Sequence, residues 1–170
     1  NFKQKNMLEK LPQQLQERIK KIYTEKELEI LESWFNKEKR KVTFRVNKIK
    51  SNKEEIIKTL TDLWLEIKEI PYLDDAFSLE NWIERDLWNT DIYKEWRIYI
   101  QWISSQIPVL LLDLKNDSKV LDVSAAPWSK TTQIASIMWN EWEIIANELN
   151  TIRAEKLKHN IELQWVKNVK

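Results

Sequence analysis

Apolar residues recur three or four positions apart in the first part of the chain, and this spacing predicts amphipathic helix over 11–38. The spacing then changes to strict alternation. Val42, Phe44 and Val46 are separated by polar residues, which is typical of a strand with one buried face. We therefore expect N-terminal helices over 1–40, followed by a half-buried strand.

The pattern over 41–101 indicates a small α+β domain. After the first strand we predict a helix over 54–63 with Ser51 as its cap, a strand over 65–70, turns over 71–90 and a hairpin over 91–101. A strand, a helix, a strand and a hairpin in this order favour one layer of sheet packed against helix.

Helix and strand patterns alternate regularly after Gln101. We predict helices over 104–114, 131–138 and 153–164, and strands over 119–123, 143–146 and 166–169. The strand over 119–123 is nearly continuous in apolar residues, as in parallel strands buried on both faces. We interpret 102–170 as the first half of a doubly wound α/β sheet and place the domain boundary near residue 101.

The composition is unusual because the chain has no glycine and ten tryptophans. Trp64, Trp139 and Trp165 each follow a predicted helix and precede a predicted strand, where positive φ favours glycine. Our interpretation is that the tryptophans stand at UGA codons that the organism reads as glycine. The alternative is a protein that is truly glycine-free and rich in tryptophan. UGG codons at Trp64, Trp128, Trp139 and Trp165 would exclude the glycine interpretation.

Charge and cysteine content narrow the class of protein. The net charge is +1, so no global charge favours nucleic acid, and the lack of cysteine excludes disulfides and thiolate metal sites. No apolar run is long enough for a membrane span, so we expect a soluble, cytoplasmic chain without a metal. One stretch is rich in basic residues, which suit phosphate contact or simply a solvated face: Lys37, Lys39, Arg40, Lys41, Arg45, Lys48 and Lys50.

The candidate chemistry lies in the segment Leu-Asp-Val-Ser-Ala-Ala-Pro-Trp-Ser-Lys-Thr-Thr, residues 121–132. It joins the first strand of the α/β part to the next helix, where open α/β sheets bind ligands. Small residues permit close approach of a ligand, and the helix start offers free N–H groups to an anionic group. Glu148 ends the next strand, where an acid can accept hydrogen bonds from ribose hydroxyls. Together they favour a nucleotide-like ligand.

These motifs resemble those of the NOL1/NOP2/Sun (RsmB/RsmF-type) RNA cytosine-C5 methyltransferases. With glycine at position 128, residues 124–132 are similar to the family's S-adenosylmethionine motif, and 140–148 are similar to its second cofactor motif. Residues 99–108 resemble the segment that leads into the catalytic domain. Thr43-Phe44-Arg45-Val46-Asn47 resembles the Arg-x-Asn motif of the N-terminal RNA-binding part. The resemblance implies an RRM-like domain followed by a Rossmann-fold methyltransferase domain.

The resemblance also implies roles for individual residues. The cofactor S-adenosyl-L-methionine would lie against Ser124, Ala125, Ala126, Pro127, Trp128, Ser129 and Lys130, with Glu148 on the ribose diol. Arg45 and Asn47 would contact the RNA substrate. Trp128 as it stands would fill space that the cofactor needs. The family's two catalytic cysteines have no counterpart here, so we expect them beyond Lys170 and expect the chain alone to be inactive.

Other interpretations remain open from the residues alone. One is a Rossmann methyltransferase for a protein or small molecule, and another is a non-catalytic RNA-binding module with the α/β part as scaffold. Arg45 and Asn47 also fit the exposed face of a strand, and Lys130 fits a solvated first-turn lysine. His159 has no metal-ligand partner at suitable spacing and is interpreted as a surface residue.

Overall fold

The computed structural model describes residues 8–35, 41–115, 117–127 and 129–170. The chain divides into two compact units, Asn1–Arg40 and Lys41–Lys170.

The first unit is helical, as the apolar spacing predicts, but the helix is interrupted. A 3₁₀ turn at Leu8–Lys10 is followed by α1 (Gln13–Ile22) and α2 (Glu25–Phe35). Tyr23 is extended, and the Glu27 carboxylate accepts bonds from both the backbone N–H and the hydroxyl of Thr24, which begins α2. The rest of the predicted helix, residues 36–38, lies outside the described part of the chain.

Residues 41–101 form a four-stranded antiparallel sheet. Its elements are β1 (Val42–Val46), α3 (Lys53–Asp62), β2 (Ile67–Ile70), β3 (Leu73–Leu79), α4 (Glu84–Trp88), α5 (Asp91–Lys94) and β4 (Ile98–Ile100). The strand order β2-β3-β1-β4 is that of a ferredoxin-like, RRM-type domain. Phe44 pairs with Phe77 on one side and with Ile100 on the other. Apolar side chains from the sheet, α3, α4 and α5 form a core that includes Phe44, Phe77, Ile56, Leu60 and Leu87.

Three details of the sequence prediction are wrong in this domain. Strand β3 lies where turns were predicted, because the polar pair Asp74-Asp75 hides a strand whose other residues are largely buried. The predicted hairpin over 91–101 is the helix α5 followed by β4. Helix α3 is capped by Asn52, whose side chain accepts a bond from the Glu55 N–H, rather than by Ser51.

Residues 102–170 form an α/β region with a parallel pair of strands. The elements are α6 (Ile103–Leu110), β5 (Val120–Asp122), α7 (Ser129–Ile137), β6 (Ile144–Ala146) and α8 (Thr151–Leu163). Strands β5 and β6 are parallel, and a parallel bridge from Ile144 to Val169 marks the predicted third strand. The prediction that β5 is buried on both faces is wrong, because Leu121 and Val123 are 60% and 68% exposed.

In the described part of the chain, four tryptophans have the backbone conformation that favours glycine. The φ angles are 60° at Trp64, 59° at Trp96, 52° at Trp139 and 60° at Trp165, which confirms the positive φ predicted at three of them. At Trp64, the N–H groups of Trp64 and Leu65 bond back to the carbonyls of Thr61 and Leu60, the Schellman pattern that usually ends on glycine. The geometry supports the glycine interpretation at these positions.

Candidate functional site

The loop after β5 is held to its own strand by one aspartate. Asp122 accepts a bond from the Ser124 N–H at 3.3 Å and another from the Thr131 hydroxyl at 2.7 Å. Ser124 lies in the loop and Thr131 in the first turn of α7, so a single carboxylate fixes both sides of the turn. Ala125 and Ala126 are buried within it, and their small side chains keep the backbone close to the strand end.

The parallel pairing brings the end of β6, which is predicted to bind the cofactor, beside this loop. Asp122 is in register with Ala146, the Asn147 N–H bonds to the Asp122 carbonyl at 2.8 Å, and the Ala125 N–H bonds to the Asn147 carbonyl at 3.0 Å. Glu148 follows directly. The loop and the acid predicted to share a ligand therefore lie at neighbouring strand ends.

The Glu148 carboxylate is only partly satisfied. Its side chain is 6% exposed, and Oε1 accepts a bond from the Asn150 N–H at 3.0 Å. Oε2 is buried without a hydrogen bond; the Arg153 guanidinium lies 3.5 Å away, within ion-pair distance only. The same guanidinium donates a 2.5 Å bond to the Ala126 carbonyl. Arg153 thus connects the acid to the loop.

An open pocket adjoins Glu148. It has a volume of about 540 Å³, and its walls include Glu148, Leu157, Ile161 and Lys170. This volume lies in the range of pockets that bind small molecules. A buried carboxylate oxygen without a hydrogen bond, at the edge of a mainly apolar pocket, is suited to a ligand that has hydroxyl groups beside a flat, apolar part.

Residues from the segment 99–108 complete the other side of the loop. The Lys130 ammonium lies 3.4 Å from the Ser105 hydroxyl, and the hydroxyls of Ser105 and Ser129 are 3.5 Å apart. Lys130 is exposed, so both interpretations of this lysine remain open. Position 128, predicted to contact the cofactor, lies outside the described residues.

Sequence reasoning named the loop and Glu148 but missed Ser105 and Arg153 as neighbours of the site. The order of motifs indicated that 99–108 leads into this part of the fold, but not that Ser105 returns to the loop. Arg153 is near Glu148 in sequence, and Asn150 caps α8 between them by accepting the Arg153 N–H. That cap turns the arginine back toward the acid.

Arg45 and Asn47, predicted to contact RNA, are buried: 3% and 1% of these residues is exposed. The alternative that they decorate an exposed strand face is wrong. Both side chains bond to the α/β part of the chain. Direct RNA contact by either residue stays a prediction.

Lys41, Lys48 and His159 lie elsewhere, and Lys37, Lys39 and Arg40 lie outside the described residues. Lys41 pairs with Glu80, and the Lys48 ammonium lies 2.8 Å from the Asp75 carboxylate. His159 is exposed on α8. Within the described residues, no cluster of three or more metal-ligating side chains occurs. In that same part of the chain, no helix is both long and apolar enough to cross a membrane.

A ferredoxin-like domain joined to parallel strands with a small-residue loop and a terminal acid defines the class of Rossmann-type methyltransferase folds. The family profile described as "16S rRNA methyltransferase RsmB/F" matches residues 109–170, and that of the RsmF/B-like ferredoxin-like domain matches residues 11–84. The chain belongs to the NOL1/NOP2/Sun (RsmB/RsmF-type) family, as the motifs predicted.

Individual relatives agree with this assignment. The chain is 39% identical over 133 residues to the ribosomal RNA small subunit methyltransferase F of Vibrio parahaemolyticus, and 36% identical over 135 residues to that of Escherichia fergusonii. These alignments cover 74% and 75% of the chain but 27% of each relative, so the chain spans about a quarter of their length. The crystal structure of a methyltransferase homolog from Pyrococcus horikoshii superposes with a TM-score of 0.77 at 27% identity, over 94% of this chain and 52% of that one.

Proposed function

We propose that the protein containing this chain is an S-adenosylmethionine-dependent RNA cytosine-C5 methyltransferase, and that the chain carries its cofactor-binding part. The named activity of the relatives supports methyl transfer to ribosomal RNA. The observation that carries the proposal is the buried Oε2 of Glu148, which has no hydrogen-bond partner and borders an open pocket at the strand ends.

The residues present fit the cofactor. Oxygen Oε2 of Glu148 would accept a hydrogen bond from a ribose hydroxyl, which this buried atom lacks although the Arg153 guanidinium lies 3.5 Å away. The pocket between β6 and α8 takes the adenine, with Leu157 and Ile161 as its apolar wall. Ala125 and Ala126 leave room for the methionine part along the loop backbone. The bound cofactor supplies an electrophilic methyl group.

The catalytic nucleophile comes from outside this chain, since the chain has no cysteine. Cytosine C5 becomes nucleophilic only after a thiolate adds at C6, and a thiolate both attacks and leaves well. A carboxylate is a poor nucleophile toward that carbon, and a lysine first needs a lowered pKa. We therefore assign cofactor binding, not the covalent step, to residues 102–170.

The first test is Glu148→Ala in the complete protein with glycine at position 128. Loss of a hydrogen bond to a charged acceptor weakens S-adenosylmethionine binding by about 1.5–3 kcal/mol, measured by calorimetry. Glu155→Ala is the matched control, because Glu155 is an exposed glutamate on the same helix as Arg153 and lies outside the pocket. Unchanged affinity in Glu148→Ala would remove this residue from the site.

The second test separates the candidate activities. We expect the 170-residue chain, with glycine restored, to transfer no label from labelled cofactor to cytosine-containing RNA. We expect the complete protein to label cytosine C5. Label on protein or on a small molecule instead would favour another methyltransferase class, and no cofactor binding at all would favour an RNA-binding module.

A further inference from the structure

Arg45 is a buried cation that has no anionic partner among the described residues. Its Nε donates to the Gln101 side chain at 2.8 Å, and its Nη2 donates to the Thr132 hydroxyl at 2.8 Å and to the Gln164 side chain at 3.5 Å. The guanidinium also lies over the Tyr99 ring, 5.1 Å from the ring centroid. Burial lowers the pKa of Arg45 to about 10, while Tyr99 and Asp75 oppose the shift, so the group stays charged at neutral pH.

Asn47 extends this contact along the same face of β1. Its Nδ2 donates to two backbone carbonyls, that of Gln164 at the end of α8 and that of Trp96 before β4, both at 3.1 Å. Its Oδ1 accepts a bond from the Ile49 N–H at 3.2 Å. One amide therefore connects the ferredoxin-like domain to the last turn of α8.

Further polar bonds continue the seam toward α7. The Gln101 side chain donates to that of Gln133 at 2.9 Å, and the Lys48 N–H donates to the Ser136 hydroxyl at 3.1 Å. These two bonds join residues 41–101 to residues 102–170, as do the bonds from Arg45 to Thr132 and Gln164 and the bond from Asn47 to Gln164. A buried surface held by directed hydrogen bonds fixes orientation more narrowly than an apolar one.

We propose that the contact between the ferredoxin-like domain and residues 102–170 positions the loop that joins β5 to α7. We call this contact the interdomain joint, and it is formed by Arg45, Asn47, Gln101, Thr132 and Gln164. The first turn of α7 is held from two sides: Thr131 donates to Asp122 at the end of β5, and the next residue, Thr132, accepts from Arg45. Since α7 begins directly after the loop, a shift of the ferredoxin-like domain moves the loop with it. The joint is seen without reference to a ligand, and only its effect on cofactor binding rests on the proposed function.

A structural role of Arg45 in the joint and direct contact of Arg45 with RNA predict different effects when this arginine is removed. Basic residues that neutralise phosphate need access to solvent, and they add about one unit to the salt dependence of binding. Arg45 is 97% buried; its Nε and Nη2 donate to residues of its own chain, and its Nη1 is buried without a hydrogen-bond partner, away from solvent phosphate. Its loss is therefore expected to affect the loop and the cofactor, with the salt dependence of RNA binding unchanged.

The experiment compares Arg45→Met with Arg85→Met, an exposed arginine on α4, in the complete protein. Hydrogen exchange measures the protection of the amides of 129–133, and calorimetry measures the affinity for S-adenosylmethionine. Filter binding measures the affinity for a cytosine-containing single-stranded RNA over a range of salt concentrations. We expect exchange and the cofactor dissociation constant to rise about tenfold in Arg45→Met alone, as for loss of a charged hydrogen bond. Unchanged exchange together with weaker RNA binding and a smaller salt slope would overturn the joint.

If Arg45→Met does not fold, a second pair of variants tests the interdomain joint. Thr132→Val removes the acceptor at nearly constant volume, and Thr132→Ser keeps it. We expect faster exchange and weaker cofactor binding in the valine variant, with rescue by serine. Equal behaviour of the two variants overturns the joint. If the parent protein binds no cofactor, the proposed function fails, while the exchange rates still test the joint.

Discussion

The two parts of the unit Lys41–Lys170 bury their apolar residues in different ways. In the ferredoxin-like domain, Phe44 and Phe77 stack 5.5 Å apart within one continuous core. In the methyltransferase part, the paired residues Leu121 and Ile145 are 60% and 46% exposed. A parallel sheet requires cover on both faces, and here one face is open. The first region therefore has its apolar strand residues enclosed, while the second leaves part of its sheet exposed beside the residues proposed to bind a ligand.

Core truncation gives the largest expected contrast between these regions. Phe77→Ala removes a ring that is 1% exposed, so we expect a loss of about 3–5 kcal/mol in the free energy of unfolding. Leu121→Ala removes a side chain already in water, and its effect stays within about 0.5 kcal/mol. Urea unfolding followed by circular dichroism measures both. Equal losses would show that the open face of β5 is covered in solution.

A smaller change in the free energy of unfolding is expected when a tryptophan with positive φ is replaced by glycine. Trp64→Gly relieves the left-handed conformation after α3 and raises the free energy of unfolding by about 1 kcal/mol. Trp64→Ala keeps a Cβ and gives little relief. Asn89 is the exposed C-cap of α4 and has a φ of −81°, so Asn89→Gly is the matched control and is expected to destabilise. Stabilisation by both glycine variants would show that backbone strain is not the cause.

The smallest expected effect on stability comes from surface carboxylates that accept hydrogen bonds, and each of the two regions has one whose pKa is lowered in this way. Hydrogen bonds from Ser51 and Arg97 lower the pKa of Glu55, and a bond from Lys170 lowers that of Glu143. A carboxyl whose pKa is lower in the folded state adds stability above its unfolded pKa of about 4.3, and that stability is lost as pH falls through the folded pKa. We expect Glu55→Gln and Glu143→Gln to lower the melting temperature slightly at pH 7, with the difference vanishing in acid. A difference that grows in acid would contradict the assigned cause.

The sequence predicted those parts of the fold that depend on local pattern. The alternation at 42–46, the order of strands and helices after Gln101, and the loop with Glu148 on adjacent strand ends all follow from residue spacing. Strand β3 was missed because Asp74 and Asp75 interrupt its alternation, and its pairing with β1 and β2 lies far away in sequence.

The burial of Arg45 and Asn47 was missed for a related reason. An alternating strand places its polar residues on one face, and this pattern does not say whether water or another polar surface covers that face. Here α7 and α8 present Thr132 and the carbonyl of Gln164 to it. The hydropathy pattern of a sequence therefore does not distinguish polar residues that are buried against polar partners from polar residues that are exposed to water.

The left-handed residues after the helices also have a consequence for the gene. If all ten tryptophans, among them the left-handed Trp64, Trp96, Trp139 and Trp165, stand at UGA codons that the cell reads as glycine, most other organisms read the same codons as stop signals. Their ribosomes would end the product before Trp34, the first tryptophan in the chain. A neighbouring species that acquired this gene would make only this short N-terminal piece from it. A backbone angle that suits one amino acid would then also act as a barrier to gene exchange.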